Sequence, residues 1–131
     1  SYVLPIIVAG LVAPADSLLI IENPEAHLHP SGQTRIGEFL AQVAGSGVQI
    51  IIETHSEHIV DGIHLGALKN LVPQDKIVFN FFRTQNQNVD IQPIFINHKG
   101  ELSDFPRGFF DQAQQNIAQI IRLRRNTPTL T

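Results

Sequence analysis

Leu18-Leu19-Ile20-Ile21-Glu22-Asn23-Pro24-Glu25-Ala26-His27-Leu28-His29-Pro30 is the stretch from which the fold of this chain is read. Four apolar residues run straight into a carboxylate. A short continuous apolar run predicts a strand covered on both faces, as in a parallel sheet. In open α/β folds, ligands sit beyond the carboxyl ends of such strands. Glu22 therefore stands where a ligand-facing acid belongs, and Glu25, His27 and His29 follow on the exit loop. Pro30 suits the first turn of a helix.

Working outward, Ile36, Phe39, Leu40 and Val43 mark the apolar face of the helix that Pro30 opens, and Gly45-Ser46-Gly47 stops it. Val48 to Glu53 predicts a second strand. Two strands joined through such a helix form a right-handed βαβ unit, so strands 18–22 and 48–53 are expected to run parallel. Thr54-His55-Ser56 leaves the second strand. Ser56 suits an N-cap and Glu57 the positive end of the following helix, whose apolar face is Ile59, Val60, Ile63 and Ala67. Lys76 to Arg83 and Val89 to Asn97 predict a hairpin over 76–97. Upstream, Leu4, Ile7, Val8 and Leu11 are spaced as one helix face within residues 1–12. Phe109 to Leu123 predicts a last helix, with Arg122, Arg124 and Arg125 near its negative end. The class is α/β. We expect a three-layer core with helices on both faces of the parallel strands, plus the hairpin and a C-terminal helix.

The bulk properties narrow the function classes. A chain of 131 residues can bury one real core. A net charge of −3 gives no general nucleic-acid footprint. The apolar runs are too short to span a bilayer, and no signal peptide opens the chain, so no membrane partner is expected. The absence of cysteine excludes disulfides and thiolate metal sites and fits a cytoplasmic location. The chain opens on Ser1 and contains no methionine, from which residue 1 is not expected to be a natural start.

Glu22-Asn23-Pro24-Glu25-Ala26-His27-Leu28-His29-Pro30, after its apolar strand, resembles the Walker B segment of ATP-binding-cassette-like ATPases of the RecF, SMC and OLD type. Ile50-Ile51-Ile52-Glu53-Thr54-His55-Ser56 resembles their switch strand, which ends in a histidine facing the γ-phosphate. The two motifs stand in the family's order and spacing. The resemblance covers residues 1–97, expected to form the C-terminal part of an ATPase domain. Residues 98–131 are expected to form an extension packed on the same domain, and Phe105 to Asp111 looks like a segment some of these ATPases carry.

The resemblance implies ATP and magnesium as cofactors. It makes Glu22 the metal-holding acid, normally through water. It makes His55 the γ-phosphate sensor and His29 a contact residue at the nucleotide. Asn23 departs from the pattern, because many relatives carry a catalytic glutamate at this position. An amide can orient water but cannot accept its proton. Asn23, Glu25 and His55 are thus the candidate catalytic residues, with Glu25 able to take the role of base. The family implies a head-to-tail homo-oligomer around ATP, DNA as a partner of the parent protein, and work in DNA repair, chromosome handling or phage defence.

Two other classes fit the same residues. One is a metal-dependent hydrolase using Glu22, Glu25, His27, His29 and His55. The other is a non-enzymatic interaction module. The phosphate cradle of this ATPase class needs G-x-x-x-x-G-K-[ST], and none of the nine glycines is followed by Lys-Ser or Lys-Thr. The 131-residue chain is therefore read as the C-terminal half of a longer ATPase, with little or no ATP turnover alone. The P-loop strand of such ATPases lies next to the switch strand, so we expect residues 48–53 to keep an unpaired edge.

Overall fold

A computed structural model describes residues 3–106 and 108–126. In chain order it contains α1 (Val3–Val12), β1 (Leu18–Glu22), α2 (Pro30–Gly45), β2 (Gln49–Glu53), α3 (Glu57–Leu68), β3 (Val78–Gln85), β4 (Asn88–Phe95) and α4 (Gln112–Asn126). A single 3-10 turn at Gln74–Lys76 leads into β3. Residues 1, 2 and 107, at the expected first helix and the Phe105–Asp111 segment, lie outside the described residues.

β1 and β2 pair in parallel, with Ile20 opposite Ile51 and Glu22 opposite Glu53. β3 and β4 pair antiparallel from Val78–Phe95 to Gln85–Asn88. Asn86 and Gln87 between them both have positive φ. That is the backbone of the two-residue turn whose twist matches a hairpin. The α/β class, the parallel pair, the hairpin and the C-terminal helix thus agree with the sequence reading.

The layering differs from the expectation. Ile21, Ile50 and Ile52 pack against Ile36 and Leu40 of α2 and Ile59 of α3, with Ile6 and Ile7 of α1 on the same cluster. The alternate residues Leu18, Ile20 and Ile51 face outward, and Ile20 is 69% exposed. Helices cover one face of this sheet among the described residues, not two. A continuous apolar strand reads as doubly buried because both of its faces are apolar. Only the alternation of cover along the folded strand separates them. β2 and β3 also stay in separate two-stranded sheets, so the hairpin does not pair with β2.

α2 and α3 form the packed layer. Leu40 and Ile59 are 1% and 0% exposed, and the two helices cross at glycines. A Cβ on Gly62 would lie 2.1 Å from the Thr34 carbonyl oxygen and 2.9 Å from the Gly37 Cα. One end of this layer packs on β1–β2. The other packs on the hairpin, where Val60 of α3 meets Ile94 and Phe109.

The last helix begins at Gln112, not at Phe109. Gly108 and Phe110 have positive φ, which interrupts helical geometry. Phe109 turns inward instead and meets Phe81 and Phe105 edge-on, each with centroids 5.4 Å apart. α4 itself is exposed along its whole length.

Candidate functional site

The site is built where β1 and β2 end side by side. Beyond β1 the chain turns at once: Asn23 has φ 48°, a left-handed conformation that asparagine tolerates better than most residues. The Asn23 N–H donates to the Glu53 carbonyl at 2.8 Å, tying the two strand ends together. The loop is then closed by Ala26 N–H on the Asn23 carbonyl and by Leu28 N–H on the Glu25 carbonyl, each at 3.1 Å. Pro24 is fully buried beneath it. His29 is the N-cap residue of α2 and Pro30 opens the helix, with no side-chain cap.

Glu25 reaches across to the second exit loop with both oxygens. Thr54 Oγ1 donates to Oε2 at 2.8 Å, and the His55 backbone N–H donates to Oε1 at 3.0 Å. Ser56 caps α3 as the sequence predicts, accepting from His58 and Ile59 N–H at 3.2 Å each. The His55 ring is exposed and makes no hydrogen bond with a described residue, so its donor is available. A cleft of about 450 Å³ opens here, lined by Glu25, Gln33, His55 and His58 on one side and by Phe110 and Gln112 on the other.

The structure brings Glu25 and His55 together. Glu22 lies outside that cleft, on the uncovered sheet face next to Glu53 in register. Its carboxylate is exposed and makes no hydrogen bond or ion pair with a described residue. An exposed carboxylate of this kind suits a hard cation that keeps part of its water shell. Asn23 and His29 are exposed and also lie outside the cleft. Among the described residues no three histidine, aspartate or glutamate side chains come together to hold one ion. Glu22, Glu25, His27, His29 and His55 therefore do not assemble the centre a metal-dependent hydrolase needs.

Sequence reading missed three members of the site. Gln33 and Thr54 join the loops by side-chain bonds. The signal was a glutamine one turn into α2, with a capping serine expected on the next helix. His58, to which the sequence assigned no role, is half-buried and lines the cleft, with Nε2 3.9 Å from Glu57 Oε1. His64, away from the cleft, places Nε2 2.7 Å from the Gly100 carbonyl in the turn after β4.

Two family models match the chain. Residues 1–61 match "AAA domain, putative AbiEii toxin, Type IV TA system", and residues 72–120 match a protein family of unknown function, DUF3696. Among curated proteins, the Old nuclease of Escherichia phage P2 is 38% identical over 50 residues, which is 38% of this chain and 8% of that protein's length. No solved structure matches the chain. The parallel β1–β2 unit and these likenesses agree with the resemblance read from the motifs: the first half of the chain is similar to an AAA-type ATPase domain and to part of an Old nuclease. No described helix is long and apolar enough to cross a membrane.

Proposed function

We propose that this chain supplies the Walker B and switch-histidine half of an ATP-hydrolysing site in a longer cytoplasmic protein. That protein forms a head-to-tail homo-oligomer around ATP and acts on DNA, in repair, chromosome handling or phage defence. The observation that carries the reading is the bond from Glu25 to the His55 backbone. It joins two loops thirty residues apart and leaves the His55 ring open.

In this reading Glu22 would hold magnesium through water. The ion supplies neutralisation of charge on the transferred phosphate. The His55 ring would donate to a terminal phosphate oxygen. His29, at the start of α2, would contact the nucleotide from the neighbouring loop. Asn23 would orient the attacking water through its amide without taking its proton. Both Glu25 oxygens already accept from the switch loop, so Glu25 acts as the brace between loops. The phosphate cradle comes from residues other than these 131.

In the full-length protein, His55→Ala is expected to lower steady-state ATP turnover about a hundredfold, the scale of losing one preorganised donor. His64→Ala, away from the cleft, is expected to leave it close to wild type once folding is checked by a thermal melt. Equal turnover in the two variants would remove His55 from the site. Asn23→Glu is expected to speed hydrolysis about a hundredfold by adding a general base. If that change does nothing while Glu25→Gln abolishes turnover, the base is Glu25 and the brace assignment fails.

A further inference from the structure

The hydrogen bonds around the switch loop close into a ring. Glu25 accepts from Thr54 Oγ1. Thr54 Oγ1 has then spent its proton and accepts the Ser56 N–H at 3.0 Å. Ser56 Oγ donates to Gln33 Oε1 at 2.5 Å, and Gln33 Nε2 donates to the Leu28 carbonyl at 2.9 Å. The Leu28 N–H returns to the Glu25 carbonyl. Every hydroxyl has one proton and one direction to send it, so the ring has a single consistent orientation.

Gln33 is the member that only glutamine can fill at this length. Its oxygen must face Ser56, whose own lone pairs already serve the α3 amides. Its NH2 must then face the Leu28 carbonyl. A glutamate would set a carboxylate oxygen against that carbonyl, and an apolar residue would leave Ser56, which is 8% exposed, without an acceptor. Ser56 is also the residue that follows His55. The ring therefore fixes the backbone on both sides of His55 while leaving its ring outside.

The geometry points to Gln33 as a positioning residue: it holds the exit loop of β1 and the exit loop of β2 at one spacing, and so aims His55 at the terminal phosphate of a bound nucleoside triphosphate. This rests on the ATPase reading above. Gln33 touches neither phosphate nor water in this role. It acts through Ser56 and the His55 backbone.

Two measurements on the full-length protein separate this inference from the reading it rests on. Amide hydrogen exchange over residues 54–59 is expected to rise about tenfold in Gln33→Ala, as for the loss of one buried hydrogen bond, with the Leu40 region of α2 unchanged. In steady-state kinetics, Gln33→Ala and Gln33→Glu should both lower kcat about tenfold and leave KM for ATP within about twofold. Adding Gln33→Ala to His55→Ala should cost less than about twofold more, because a positioning residue has nothing left to position. Unchanged exchange at 54–59, or a full tenfold further loss in the double variant, overturns the role of Gln33 while the ATPase reading stands. A wild-type protein that does not turn over ATP removes the ATPase reading, and the aim at phosphate with it.

Discussion

Gly62→Ala is expected to destabilise the protein by about 3 kcal/mol, at the upper end for overpacking a core by one methyl group. The added Cβ would meet the Thr34 carbonyl oxygen at 2.1 Å, the Gly37 Cα at 2.9 Å and the Glu38 nitrogen at 3.0 Å. All three are backbone atoms, so no side chain can swing aside. The helices must part, and Leu40 and Ile59 lose their packing. Gly37→Ala, whose Cβ would lie 2.4 Å from the Ile59 carbonyl oxygen, should behave alike. Gly32 is the control: its Cβ would meet only the Leu28 side chain, at 3.7 Å. Gly32→Ala should gain about 0.5–1 kcal/mol from helix propensity. Urea midpoints of the three variants check this. A Gly62→Ala protein as stable as wild type would show that α2 and α3 do not cross this closely. The crossing also serves the site, because it brings Gln33 within reach of Ser56.

The isolated 131-residue chain is expected to self-associate. β2 pairs only with β1 among the described residues, and β3 only with β4, so β2 offers an open edge. The sheet face there is apolar, with Ile51 52% exposed near Leu18 and Ile20. An apolar strand with an open edge is a template for another chain. Light scattering over a range of concentrations should give a mass above the monomer's, rising with concentration. Ile51→Lys should shift the species toward monomer. A wild-type chain monomeric at every concentration would sink the expectation, and a larger species unaffected by Ile51→Lys would move the contact to another surface.

The elements that carry the site were legible because each was specified locally. Apolar runs ending in Glu22 and Glu53 marked the strand ends, Pro30 marked one helix start, and Ser56 marked the next. What could not be read was set by neighbours distant in sequence. The uncovered face of Leu18, Ile20 and Ile51 depends on what packs over it, and their apolarity is the same either way. The stretch from Phe109 to Leu123 reads as one helix, yet the Phe109 ring is drawn into the Phe81 cluster and the helix starts three residues later. Glu25 was legible as an acid near a ligand, but its engagement by Thr54 and His55 exists only once the two loops are side by side.

The exposure of α4 divides the molecule by time as well as by space. No residue of α4 is buried, so the helix can unwind while Leu40 and Ile59 stay packed. Its amides answer to local fraying, and those of α2 and α3 to global unfolding, two processes separated by most of the domain's stability. A protease working on the native protein meets α4 as a substrate long before it meets the α2–α3 pair. Brief digestion therefore trims the chain behind Phe109 and leaves a body that still holds Glu25 against His55.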